Sequence, residues 1–299
     1  MEKGITKKAT TTDGNETSMD NPANINEQHY EMMTDNVIKK AMVSSVYQSL
    51  LKPDINMFTT SNIVLGTILS EGNFYQTWKG KLTQNKSAPL QIVIKKTKDL
   101  KLLIMEVAPL GNLRQYLEIK ANEMYYNVTS SKTLEMDFIN QIIEASDVVH
   151  QLDPPGLFYC LCSSNVLLSS DQKCKLSGFA SKESVRAREK WEEEYNLPRP
   201  IQWLAPEAIK LSHVIESDIW SLGLLMWEIF NAGKLPFGDV TDDEARQKVL
   251  KGQKPFKPTK CSDDMFDIMT QCWMCQPFNR PSLHDISVKC NELIQYEEV

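Results

Sequence analysis

The 299-residue chain has no run of about 18 apolar residues, so no segment reads as a membrane-spanning helix. Residues 1–10 lack the apolar core of a secretory leader, and the expectation is a cytoplasmic protein, with membrane recruitment left to its partners. There is no basic excess. Lys and Arg number 33 against 39 Asp and Glu, a formal net charge of -6, which gives no reason to expect nucleic acid as a partner. Nor are the cysteines paired in number: there are seven, and the pattern reads as reduced thiols. Cys272 and Cys275 form a C-x-x-C, but no second pair stands at ligand spacing. Both fall in an apolar helical stretch around Trp273, so buried core thiols are expected rather than a metal site. No internal repeat is visible.

What is there divides the chain by pattern. Residues 1–33 are polar, poor in large apolar groups, and read as a disordered tail. Residues 34–60 hold a helix and linker: Val37, Ile38, Ala41, Met42, Val46 and Leu50 share one helical face, and Pro53 ends it. Between 61 and 108 the pattern shortens to four β-like runs, NIVLGTIL, FYQTWKGKL, QIVIKK and LLIMEV, separated by turn residues. From 109 to 294 it is helical nearly throughout. Apolar positions from Asp137 to Leu152 fit one helix face, while Ile219 to Phe230 is apolar all round and predicts a fully buried helix. Further helices are predicted near 242–251, 263–274 and 282–294, with 295–299 as a tail. A small β-rich lobe followed by a larger helical lobe is an α+β arrangement.

Three stretches carry a resemblance: Trp203-Leu204-Ala205-Pro206-Glu207, Ser217-Asp218-Ile219-Trp220-Ser221-Leu222-Gly223, and Cys272-Trp273 with Arg280-Pro281-Ser282. Together they resemble the helical lobe of protein kinases. Pro200-Ile201-Gln202-Trp203 is similar to the tyrosine-specific branch. Gly111-Asn112-Leu113-Arg114-Gln115-Tyr116-Leu117 resembles the stretch after the hinge in receptor tyrosine kinases. The resemblance spans roughly residues 61–294 and implies a two-lobed fold. It also implies that Glu207 pairs with Arg280, and that Asp218 accepts backbone hydrogen bonds from the catalytic loop.

Phosphoryl transfer needs a glycine-rich lid, a lysine, metal-holding Asp and Asn, and a base. The resemblance assigns nucleotide contact to Gly72, Lys95, Met105, Glu106, Ala108 and Leu167. Of the three lid glycines only Gly72 remains, with Ser70 and Tyr75 at the other two places. Lys95, in Ile-Val-Ile-Lys, matches the phosphate-anchoring lysine; a plain strand-end lysine beside Lys96 is the competing reading. The interval from Lys95 to the hinge strand is too short for the C helix and its glutamate, and Thr97-Lys98-Asp99 could close the two strands into a hairpin.

The catalytic loop reads Phe158-Tyr159-Cys160-Leu161-Cys162-Ser163-Ser164-Asn165 where the family has His-Arg-Asp-Leu-Ala-Ala-Arg-Asn. Asn165 is retained, but Cys160 holds the base position. Gly178-Phe179-Ala180 replaces Asp-Phe-Gly, so the metal carboxylate is gone. The run Glu192-Glu193-Glu194 is expected to be a solvated loop, with Tyr195 the only tyrosine of the segment. Tyr30, in Tyr-Glu-Met-Met, and Tyr125, in Tyr-Tyr-Asn, fit phosphotyrosine patterns read by SH2 domains. The resulting expectation is a pseudokinase, a scaffold or allosteric partner of an active tyrosine kinase or of SH2-domain proteins. It requires no cofactor; ATP is an optional ligand and magnesium is not expected. The alternative is a tyrosine kinase with weak or atypical phosphotransfer through Cys160 or the segment's glutamates.

Overall fold

The computed structural model describes residues 63–71, 75–83, 89–97, 102–124, 132–153 and 155–297. The helix expected within 34–50, the N-terminal tail, Gly72, Tyr30 and Tyr125 lie outside the described residues.

The small lobe is an antiparallel meander of β1 (Ile63–Glu71), β2 (Tyr75–Leu82), β3 (Leu90–Thr97) and β4 (Leu102–Glu106), in the order β1-β2-β3-β4. Alternation puts Leu82, Ile92 and Ile94 into one buried cluster with Ile63 and Trp78 against it. β3 and β4 are direct neighbours, with Lys95 opposite Leu103 and Lys96 opposite Leu102. Only positions 98–101 separate them, too few for a helix that could cross the sheet.

In the large lobe α1 (Leu113–Met124) and α2 (Lys132–His150) precede two ribbons: β5 (Gly156–Phe158) pairs with β8 (Phe179–Ser181), and β6 (Val166–Leu168) with β7 (Cys174–Leu176). These short strands interrupt a region that the sequence pattern presents as helical nearly throughout; runs of three residues are too short for a period to register. Helices α3 (Lys182–Glu194), α4 (Pro206–Ile209), α5 (Ile215–Phe230), α6 (Asp242–Leu250), α7 (Asp263–Cys272) and α8 (Leu283–Glu297) follow. The last of these extends to Glu297, three residues into the stretch that the sequence presents as a tail.

The predicted all-round burial of α5 holds: Trp220, Leu224, Leu225 and Met226 are each within about 1% of full burial. Gly223 is needed there. A Cβ on it would stand 2.7 Å from Cys272 Cβ and 2.7 Å from Trp273 Nε1, so its absence sets how closely α5 and α7 pack. Cys272 is a buried core thiol as expected, but Cys275 is exposed, because the helix ends at Cys272 and the chain turns outward. Among the described residues no group of three or more His, Cys, Asp or Glu could hold a metal ion.

Candidate active site

The catalytic-loop stretch is held at both ends by buried carboxylates of α5. At its start, Phe158 N–H donates to Asp218 Oδ2 at 3.1 Å, and His150 Nε2 lies 2.9 Å from the same oxygen. At its far side Glu228, fully buried, accepts from Ser163 N–H at 3.0 Å, from Ser163 Oγ at 2.7 Å and from Arg114 Nη2 at 2.8 Å. Burial pushes the Glu228 carboxyl above its ordinary range, against the pull of Arg114 and Ser163. Arg114 lies within Gly-Asn-Leu-Arg-Gln-Tyr-Leu, but nothing in the sequence pairs it with Glu228, which sits in an apolar run.

The loop so held carries a thiol at the place where the resemblance implies a base. Cys160 is buried, and a hydrogen bond with Cys162, together with burial, pushes its thiol well above the ordinary range. A neutral thiol is no proton acceptor at neutral pH. Asn165 Nδ2 donates to the Cys160 carbonyl at 2.8 Å, and Ser177 Oγ to the Asn165 carbonyl at 2.9 Å. Gly178 has φ +82° and is exposed; a side chain begun there would start 3.5 Å from Asn165 Nδ2. The two metal positions implied by the resemblance therefore adjoin, but one has no side chain and the other offers a single amide oxygen. This set does not fit magnesium, which needs carboxylate oxygens in octahedral array. Phe179 packs edge-on against Phe158, with centroids 5.8 Å apart.

Toward the small lobe, Lys95 stands in β3 beside Thr77 of β2. Met105 and Glu106 end β4, Ala108 lies in the connection that follows it, and Leu167 bridges to Asn112 beyond. Glu106 forms an ion pair with Lys175 of β7, so its carboxylate is engaged across the lobes.

The glutamate run is corrected by the structure. It is helix, not loop: residues 182–194 form α3, and of the run Glu192 is buried and ion-paired while Glu193 and Glu194 stay exposed; Glu189, one turn earlier, is buried and ion-paired as well. Its local signals are ordinary. Ser181 Oγ caps the first turn by accepting from Ser184 N–H, the body contains no Gly or Pro, and Asn196 takes φ +48° past the end. There Leu197 N–H donates to Glu192 O at 2.8 Å and Asn196 N–H to Glu193 O at 3.3 Å, closing a Schellman motif before Pro198. Apolar periodicity misses the helix because its inward face carries Val185, Glu189 and Glu192 at helical spacing, two of them charged.

Those glutamates join α3 to the catalytic loop. Tyr159, at the second position of that loop, donates its hydroxyl to Glu192 Oε2, and the Arg188 guanidinium lies 3.7 Å above its ring while bonding Glu192 Oε1 at 2.8 Å. Burial pushes the Tyr159 phenol far above its usual range, so it serves as a neutral donor. Arg199, buried, reaches Glu189 Oε1 at 3.5 Å and the carbonyl of Ala208 at 3.1 Å. His213 bridges Glu189 at 3.3 Å and Asp218 at 3.0 Å. One polar chain thus runs from the segment through His213 to the α5 carboxylate that holds Phe158.

Further out, Arg280 grips Glu207 with two nitrogens at 2.6 and 2.9 Å, the pairing implied by the resemblance. It also donates to Glu216 O and Met274 O and lies over Trp220 at 5.2 Å. Tyr195 caps the end of α3, half-buried, with its ring 5.5 Å from that of Trp191.

Comparison with known proteins bears on the whole arrangement. The profile of the protein tyrosine and serine/threonine kinase family matches residues 97–290. The chain belongs to this family. The match begins at the end of β3, so the strands carrying the lid and Lys95 fall before it. Relatives of this kinase-family chain include fibroblast growth factor receptor 1 of Xenopus laevis, 30% identical over 62% of the chain and 24% of the receptor. Tyrosine-protein kinase Fer of Mus musculus is 26% identical over 75% of the chain and 30% of its own length. Tyrosine kinase receptor Cad96Ca of Drosophila melanogaster is 28% identical over 67% and 26%. These place the chain in the tyrosine kinase branch. It spans about a quarter to a third of the length of these relatives. No helix among the described residues is long and apolar enough to cross a membrane.

Proposed function

We propose that this chain is a tyrosine-kinase-like pseudokinase that works as a scaffold or allosteric binding partner in phosphotyrosine signalling. The observation that carries this reading is Gly178. At the place of the metal-holding carboxylate there is only an exposed glycine beside Asn165. Magnesium held through carboxylates and phosphate oxygens neutralises the charge that develops in phosphoryl transfer, and nothing at this position replaces it.

Two further features support the reading. Cys160 offers a buried neutral thiol where a base is needed, and loss of a positioned base costs about 10²–10⁴-fold. The activation segment is folded as α3 against the catalytic loop and bonded to it through Tyr159, Arg188 and Glu192. A segment so engaged does not present an open platform for a substrate tyrosine. What is kept (Glu207 with Arg280, Asp218, Glu228) maintains the shape of a surface. Protein partners of the phosphotyrosine pathway fit that role, with Tyr30, Tyr125 and Tyr195 as candidate phosphosites.

Transfer of labelled phosphate to the chain itself and to a generic tyrosine-containing polymer is the test, with Lys95→Ala as control. Incorporation no greater than the control is expected; incorporation well above it would overturn the proposal. A melting experiment with ATP, with and without magnesium, separates nucleotide binding from catalysis. The expected result is no metal-dependent stabilisation, and a shift of several degrees that requires magnesium would count for the weak-kinase alternative.

A further inference from the structure

A cleft of about 590 Å3 lies in the large lobe between the C-terminal end of α5, the loop after it and the loop after α6. None of the residues placed in the candidate active site lines it. Four lysines do (Lys234, Lys248, Lys254 and Lys257), against one carboxylate, Asp239. In a chain of net charge -6 this is a local reversal of sign. Lys257 is held by an ion pair with Asp263, and Lys254 donates to Thr270 O at 3.2 Å. Lys234, exposed, makes no ion pair among the described residues, while Lys248 is half-buried and acts on the carboxylate of Glu244, one turn earlier on α6, without a close ion pair.

The cleft also has an apolar lip. Phe256 is 88% exposed, the most exposed of the large apolar residues described, yet its backbone is fixed. Its carbonyl accepts from Trp227 Nε1 at 2.6 Å, and its neighbour Pro255 is buried. Because the backbone is already anchored, binding at the ring need not also order the loop that carries it. Beside a lining with four lysines and one carboxylate it makes an apolar anchor with a charged rim, the anatomy of a protein-docking site.

We infer that this cleft docks an extended acidic segment of a partner protein, which sets an apolar side chain on Phe256 and carboxylates against Lys234 and Lys248. No arginine lines the cleft. Arginine's planar fork is the group enriched where phosphate is gripped bidentately, whereas separate lysine point charges suit carboxylates spaced along a peptide. The inference does not depend on whether the active-site cleft binds nucleotide.

The test is fluorescence anisotropy of the full chain with a labelled peptide, Asp-Glu-Asp-Phe-Glu-Asp-Leu-Glu-Asp, beside the same peptide with Asn and Gln for the acids. Saturable binding is expected for the acidic peptide, about tenfold or more weaker for the neutral one and for each of the variants Phe256→Ala and Lys234→Glu/Lys248→Glu. All three positions are at the surface, and unchanged melting temperatures verify that the variants fold. Absence of saturable binding to the unaltered chain overturns the inference. So does undiminished binding to the double lysine variant. Displacement by heparin together with undiminished binding to Phe256→Ala would mark the cleft as a patch for polyanions in general, and equally overturns it.

Discussion

If the segment helix α3 is bonded to the catalytic loop through Tyr159 and Glu192, removing either end must destabilise the large lobe, and the two losses must not add. Glu192 has a side-chain exposure of 2% and holds three groups: the Tyr159 hydroxyl, Arg188 Nε at 2.8 Å and Arg199 Nε at 3.9 Å. Glu192→Gln keeps the shape and removes the charge. Breaking a buried pair costs about 3–5 kcal/mol. Arg188 is 30% exposed and Arg199 retains Glu189 and two carbonyls, so about 3 kcal/mol is expected. Tyr159→Phe deletes one hydrogen bond to a charged group, about 1.5–3 kcal/mol. Because both variants lose the same Tyr–Glu bond, the double variant should fall short of the sum by about 1 kcal/mol. Urea denaturation of the four proteins measures this directly, and melting should fall by about 2–4 °C for each kcal/mol. Limited proteolysis should cut within 182–194 sooner in both single variants. Single-variant effects below about 0.5 kcal/mol, the size of ordinary surface changes, would refute the account of a structural tie.

Burial pulls the His213 imidazole down, but its bonds to Asp218 and Glu189 outweigh this and push it up to about 9 from an ordinary 6.5. Its contribution, about 3 kcal/mol, should be full below about pH 6.5 and lost as pH rises through about 9. His213→Gln should flatten the measured stability over that window, and an unchanged slope would count against the bridge. For Glu207, burial raises the carboxyl while Arg280 and Ser217 more than offset it, holding it below the usual carboxylate range. Stability from this pair should be present above about pH 4.5 and lost as pH falls through the depressed value; Glu207→Gln should cost about 3 kcal/mol in denaturant at pH 7 and remove that acid limb. Gly223→Ala should destabilise by about 1–3 kcal/mol despite its better helix propensity, since the methyl meets Cys272 and Trp273 at 2.7 Å. A rise in melting temperature would show that α5 and α7 can part at no cost.

The sequence by itself determined a good deal about this protein. Four short β-like runs bounded by turn residues and an all-apolar stretch at 219–230 were enough to mark a β lobe and a helical lobe, because burial sets the length and apolar pattern of each element. That Gly178 and Cys160 stand where the resemblance implies a metal carboxylate and an acid is legible at once, since it concerns which chemical groups exist and not where they go. The missing helix after Lys95 follows from counting residues between strands. What only the tertiary structure decided is how charged side chains are used inside. Glu189, Glu192, His213, Arg199 and Glu228 carry no apolar signal, and their partners lie up to 114 positions away, as Arg114 does from Glu228. A glutamate run reads as solvated because a buried carboxylate is costly unless paired, and pairing depends on the fold. The helix 182–194 illustrates the division: its caps at Ser181 and Asn196 are written locally, but its inward face is polar, and only the packed molecule reveals which side is in.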